Sequence, residues 1–250
     1  VEGMQGLGKG NPANLKDVFL VDDNLNVKYM ANDGKEYGDN INNKILEDET
    51  EIRFASKAFS EYVSKISGVT EEEMKFKWMK NRTSLTIADT SVDSLEDLVF
   101  FPNLENLTLG DSNGNNSPNI TTMDGIENCM NLKSLFLNNV NIESFKQLSN
   151  LNEVTKISLL YGNNNIKDLI NTIEKLSTLQ TFILNYAGGE YDYKIISDLP
   201  VSLTSLTIRG AGDKINKIEG IEHLTNLTYL QMDNNKINTI KGIEKLTQLI

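Results

Sequence analysis

The feature that most limits what this chain can fold into is a short apolar frame that recurs along its last two thirds. The clearest copy is Leu227–Ile237, reading LTYLQMDNNKI, with apolar residues at its first, fourth and sixth positions, Asn235 at its ninth and Ile237 at its eleventh. The same frame starts at Arg82, Leu104, Leu132, Val154, Leu179 and Leu203, and an eighth start falls at Leu249. Successive starts lie 22 to 28 residues apart. A period in this range marks a stacked repeat, in which one copy cannot bury its own apolar strip and several copies share a continuous core.

The alternating part of the frame predicts a short strand with its apolar side chains all on one side. The inward set is Leu85 and Ile87, Leu107 and Leu109, Leu135 and Leu137, Ile157 and Leu159, Phe182 and Leu184, Leu206 and Ile208, and Leu230 and Met232. Second halves such as GIEHLTN (Gly220–Asn226) and GIEKLTQ (Gly242–Gln248) add buried positions on the opposite side and are short enough for turns or single helical turns. The pattern resembles the leucine-rich-repeat consensus. That resemblance implies an α/β repeat: a leucine-rich-repeat solenoid with a curved parallel sheet and short convex turns, covering residues 81–250 as seven repeats and the start of an eighth. The Asn that normally turns the chain after the strand is kept at Asn235, but its slot holds Thr90 in the first repeat and Val140 in the third. Extra residues fall just after the strands, at Gly110–Asn119, Tyr161–Asn165, Ala187–Tyr193 and Gly210–Lys214. Inserts at one point in successive repeats are expected to project from one edge.

Residues 44–80 read as helical. Ile52, Phe54, Phe59, Tyr62, Val63 and Ile66 form an apolar stripe that stops at Gly68. Thr70-Glu71-Glu72-Glu73 fits a capping box opening a second helix through Trp78 and Met79. A helical pair before the first repeat, with VTEEEM (Val69–Met74) leading into it, resembles the N-terminal cap of internalin-like bacterial repeat proteins. Residues 1–43 differ. Val18–Val21 and Val27–Met30 are strand-like around the turn Asp22-Asp23-Asn24, which predicts a small β-hairpin region. The stretch LKDVFLVDDNLNVKYMANDGKEYGD also resembles the sequence after the N-terminal helix of pilin-like proteins of Gram-positive bacteria. An upstream signal or anchor segment is expected, since the chain opens at Val1 without a leader.

Little in the chain points to catalysis, and no catalytic residue, metal or cofactor is assigned. His223 is the one histidine, and its slot is filled by Lys245 in the next repeat, so it reads as a surface residue. Cys129, the one cysteine, reads as a small core side chain. Neither supplies a triad or a zinc site. Asp111-Ser-Asn113-Gly-Asn115 and the Asp22–Asn26 cluster carry calcium-type oxygen ligands, but the first lacks the closing Glu and reads as a solvated loop. With 24 basic and 35 acidic residues the net charge is −11. That disfavours nucleic acid and anionic membranes as partners, and no run of 18 apolar residues offers direct membrane insertion.

A partner would meet the outward positions of the strands. The first two repeats present small polar groups there, whereas later repeats present Phe136, Leu160, Ile183, Arg209, Tyr229, Gln231 and Asp233, with Tyr161 and Tyr186 at strand ends. Aromatic and Arg side chains carry much of the energy at binding interfaces. The expectation is therefore a bacterial surface-exposed or secreted module, Gram-positive in origin, that binds a protein or glycan ligand without being an enzyme. The alternative is a subunit of a pilus-like filament or a cell-envelope attachment through the N-terminus. A competing possibility for the face is that the Ala187–Tyr193 insert folds back over it.

Overall fold

The architecture was obtained as a computed structural model, which describes residues 52–250 and, ahead of them, three strands: β1 (Asp17–Val21), β2 (Val27–Ala31) and β3 (Glu36–Tyr37). β1 and β2 pair antiparallel, from Asp17 opposite Ala31 to Val21 opposite Val27, and β3 adds antiparallel to β2. The Asp22–Asn26 cluster and residues 44–51 lie outside the described residues, as does much of the pilin-like stretch.

Helix α1 (Lys57–Ser67) begins where Ser56 accepts a hydrogen bond from the Phe59 N–H, and it stops at Gly68 in the left-handed conformation. Its buried face is Phe59, Ser60, Tyr62 and Val63. Ile52 and Phe54, expected on the helix, precede it in extended chain, because the Ile52 N–H is bound by the Met74 carbonyl. The second expected helix is also divided. Glu71–Glu73 form one 3-10 turn, Met74 is extended, and α2 (Phe76–Lys80) follows. The Thr70 hydroxyl bonds the Glu73 carboxylate at 2.7 Å instead of a backbone N–H, so only part of the capping box forms. Burial of Met74 in the core explains the break.

Beyond the cap, β4 (Ser84–Ile87), β5 (Asn106–Leu109), β6 (Ser134–Asn138) and β7 (Lys156–Leu160) are followed by helix α3 (Ile166–Ile173), β8 (Thr181–Asn185), β9 (Ser205–Arg209), β10 (Lys217–Ile218), β11 (Tyr229–Gln231) and β12 (Thr239–Ile240). Seven of these strands form one parallel sheet in the order β4-β5-β6-β7-β8-β9-β11, and β10 pairs with β12 in a second, two-stranded sheet. Pairing is one-to-one throughout, so Leu85, Leu107, Leu135, Ile157, Phe182, Leu206 and Leu230 lie in one file. Of the fourteen inward residues, all but Leu230 and Met232 are buried; those two, in β11 and just after it, are partly buried against the core. The convex side consists of 3-10 turns at Glu96–Phe100, Ile126–Asn128, Lys146–Asn150, Tyr193–Asp198 and Ile243–Lys245. The fourth repeat departs from this, because α3 is eight residues long, capped by Asn165, and buries Ile166, Leu169, Ile170 and Ile173.

The degenerate turn slots have a physical explanation. Asn235 donates to the carbonyls of Ile208 and Met232 at 2.7 and 2.9 Å and accepts from the Ala211 N–H, which ties two repeats together. Where Val140, Ala187 and Ala211 stand in that slot, they are buried as packing residues. In the fourth repeat Asn164, two positions later, accepts the Ile142 N–H instead.

The cap meets the stack through Asp97, which is 3% exposed. Its two oxygens accept the backbone N–H groups of Ala55 (2.7 Å) and Ser56 (2.9 Å). Around them Phe54 packs edge-on against Phe100, and Phe59 against Phe101. The Tyr62 hydroxyl donates to the Thr86 carbonyl on the outer edge of β4, so the cap also satisfies the first strand. Burial pushes the Asp97 carboxyl up from 3.8 to about 6 against the pull of those two N–H donors. A raised acid binds its proton more tightly in the folded state, so its contribution to stability falls as pH rises from about 4 to about 6 and is flat above. Asp97→Ala should cost about 2–4 kcal/mol, because two buried N–H groups lose their acceptor. Asp97→Asn should flatten the wild-type stability slope between pH 4 and pH 6, measured by urea unfolding across that range.

Candidate binding face

The outward positions of the strands form three rows across the sheet. The middle row runs Thr86, Thr108, Phe136, Ser158, Ile183, Thr207, Gln231, and the row nearer the strand ends runs Asn138, Leu160, Asn185, Arg209. Phe136, Leu160 and Ile183 are half-buried. Phe136 and Ile183 flank Ser158, which is 5% exposed and whose Oγ has no hydrogen-bond partner in the protein. Asn185 Oδ1, between Leu160 and Arg209, is likewise buried without a partner. Asn138, in the strand-end row, is fully buried because the Gly110–Asn119 insert lies over it and Asn138 donates to the Asp111 carbonyl.

The other inserts are tied to one another from repeat to repeat. The Asn163 N–H donates to Asn141 Oδ1 and the Gly188 N–H to the Gly162 carbonyl, both at 2.7 Å, so these loops stack on one another as the strands do. Asn139, Tyr161, Tyr186, Gly210 and Asn234 occupy equivalent positions one residue past the strand row, and all five have positive φ, from 51° to 67°. The N–H groups of Asn139, Tyr161, Tyr186 and Gly210 donate to the carbonyls of Leu160, Asn185, Arg209 and Asp233 in the next repeat. A left-handed ladder thus continues the sheet for one rung. Asn and Gly suit this backbone, while a tyrosine there carries a cost of about 1–2 kcal/mol. The fold alone gives no reason to place tyrosines in the slot.

Those two tyrosines are the start of a connected network. Tyr161 and Tyr186 are 47% and 43% exposed and stack with ring centroids 5.9 Å apart and planes at 29°. The Tyr186 ring lies over Gly210, where a Cβ would fall 2.2 Å from a ring carbon. Asn234 Nδ2 donates to the Tyr186 hydroxyl at 3.2 Å and to Asp233 Oδ2 at 2.9 Å. Arg209 Nε pairs with Asp233 at 2.8–2.9 Å, and Gln231 also donates to that carboxylate. The Tyr229 hydroxyl, on a ring 49% exposed, donates to Gln231 Oε1 at 3.0 Å. The Arg209 guanidinium holds the Asp233 carboxyl below its ordinary range, and the hydrogen bond to Asp233 raises Arg209 in turn.

Six of the nine residues expected on the face are therefore joined in one network, and Phe136, Leu160 and Ile183 sit beside it without polar links to it. Sequence reasoning missed Gly210 and Asn234, whose only signal is their place in the same slot as Tyr161 and Tyr186. Ser158 and Asn185 stand at outward strand positions of the repeat frame, but nothing in the sequence marks their side-chain oxygens as buried without a partner. The Ala187–Tyr193 insert does not cover the tyrosines. Tyr191 turns into the core, with its hydroxyl on the Ala187 carbonyl, and Tyr193 lies under the Lys217 ammonium at 3.9 Å.

Elsewhere the reactive side chains have structural partners. His223 is half-buried, not simply a surface residue: its Nδ1 lies 2.9 Å from the Gly220 carbonyl and its Nε2 2.8 Å from the Leu199 carbonyl, so the ring stitches two repeats. Cys129 is fully buried and its thiol is pushed up to about 12 by desolvation. Asp111 accepts four hydrogen bonds from Asn113, Asn115 and Asn116, which turns its carboxylate onto its own loop. Among the described residues no cluster of three His, Cys, Asp or Glu side chains has metal-binding geometry, and no helix is long and apolar enough to cross a membrane.

Gly210→Ala should displace the Tyr186 ring and strain a left-handed residue. The expected result is a loss of stability above about 1 kcal/mol, together with loss of the Tyr161–Tyr186 ring-ring cross-peaks in NMR.

No protein-family model and no curated protein matches the chain. Solved structures do. InlP of Listeria monocytogenes aligns over 78% of this chain and 56% of its own with a TM-score of 0.57 at 16% identity. Internalin C2 of Listeria monocytogenes aligns over 84% of this chain and 75% of its own, with 0.48 and 20% identity. A leucine-rich-repeat protein of Leptospira interrogans aligns over 64% and 45%, with 0.46 and 21% identity. The seven-stranded parallel sheet, its short convex turns and the likeness to InlP together give this chain the leucine-rich-repeat fold of the bacterial internalins.

Proposed function

We propose that this chain is a surface-exposed or secreted bacterial module that binds a protein or glycan ligand through the concave face and strand-end loops of repeats three to seven. The observation that carries this reading is the exposed network from Tyr161 to Tyr229, held on strands in one-to-one register. Aromatic rings and an Arg held in fixed geometry lose little conformational freedom when a partner arrives, so more of the contact energy is kept as affinity. Two tyrosines kept on a backbone better suited to Asn or Gly support the same reading, since strain retained at an exposed site points to use of the side chain. The internalin-type fold supports a binding role over a catalytic one, and a filament-subunit role draws no support from the described residues.

The test is affinity capture from cell-surface extracts with the wild-type chain and with Phe136→Ala/Tyr229→Ala, after circular dichroism has shown both to be folded. Recovery of bound ligands should fall at least about tenfold, which corresponds to about 1.4 kcal/mol. Equal recovery would remove the concave face as the binding surface.

A further inference from the structure

Resting on that reading, we infer that the strand-end part of the face, built on the stacked Tyr161–Tyr186 pair, is a subsite for an uncharged carbohydrate. The charges there are already spent. Arg209 and Asp233 form a 2.8 Å pair, so neither an acidic nor a basic ligand finds a free counter-charge at the centre of the network. What remains on offer is two exposed phenol rings and a set of planar polar groups, the Asp233 carboxylate, the Arg209 guanidinium and the Asn234 and Gln231 carboxamides, already aligned by their mutual hydrogen bonds. An apolar partner would strip water from these groups without returning hydrogen bonds, which is costly for each one left unpaired. A sugar ring has both parts of the complement. Its C–H face packs on an aromatic ring, and its adjacent hydroxyls donate and accept in pairs to carboxylate, guanidinium and amide groups.

Two further observations point to a ligand with hydroxyls. Ser158 Oγ is a donor and acceptor buried on the same face without a partner, and Asn185 Oδ1 is a buried acceptor without one, next to Arg209 in the strand row. The tyrosine placement is the third line. The neighbouring repeats carry Asn139, Gly210 and Asn234 in the left-handed slot, and the tyrosines replace these easier residues only in the two repeats where the rings can stack.

The same slot supplies the variants. Tyr161→Asn and Tyr186→Asn put in the residue that the third and seventh repeats already use, so they remove a ring without creating a strained backbone. A purely structural role for the rings predicts a lower melting temperature. The carbohydrate role predicts a melting temperature held or raised by about 2–4 °C with binding lost. The probe is an array of chito-, cello-, manno- and galacto-oligosaccharides printed beside sialylated and sulfated glycans, with each hit titrated as the free oligosaccharide by calorimetry. The expected result is binding to at least one uncharged series, weakened tenfold or more by either variant and by Asp233→Ala. Preference for the acidic glycans, or binding that the variants leave unchanged, would overturn the inference. A blank array would also overturn it if a captured protein partner survives enzymatic deglycosylation and is lost in Tyr186→Asn, which would leave the binding face standing. A blank array with equal capture by Phe136→Ala/Tyr229→Ala would remove both readings.

Discussion

The structure depends on the strict register of its parallel sheet. Because each strand pairs residue for residue with the next, one apolar pattern in sequence becomes files of leucines and isoleucines in space, and each repeat buries its strip against its neighbour. A slip of one residue would turn Leu135 and Leu137 outward and Phe136 inward, so the core and the binding face are fixed by the same hydrogen bonds. The register also extends past the strands. The rung formed by Asn139, Tyr161, Tyr186 and Gly210 carries it into what would otherwise be free loops. For this reason the edge of the solenoid is a continuation of the sheet.

A stack of this kind has an exposed first surface, and the cap closes it by two unlike means. Aromatic packing of Phe54 and Phe59 on Phe100 and Phe101 supplies the apolar cover. The carboxylate of Asp97 and the hydroxyl of Tyr62 satisfy backbone groups that packing alone would leave bare. Burying Asp97 carries a desolvation cost, visible in its raised titration, but without it the chain entering α1 would hold two unpaired N–H groups in the interior.

Much of the scaffold was legible in the sequence because period-two alternation and a period of 22 to 28 residues are local signals. Helix α1 with Gly68 as its stop was legible for the same reason. Less visible was whatever depends on contacts between distant residues. Ile52 and Met74 leave their expected helices to pair with each other. The loops expected at one edge are also bonded from one repeat to the next, as Asn163 is to Asn141. The aromatic content of the face could be read residue by residue, since outward strand positions follow from the frame. Its organisation could not be, because nothing in the string Asp-Asn-Asn at 233–235 says that Asn234 reaches Tyr186, 48 residues earlier, while Asn235 turns inward to tie two repeats.

The central claim is that the strand-end tyrosines are held in place by the left-handed ladder before any ligand arrives. Amide hydrogen exchange of the free protein, followed residue by residue by NMR, tests this directly. The account predicts that the amides of Asn139, Tyr161 and Tyr186 exchange as slowly as those in the middle of β7 and β8, because each donates to the next repeat. Exchange of these three amides at the rate of exposed loops would contradict it, since the strands would then end at Leu160 and Asn185 and the tyrosine pair would not be preformed.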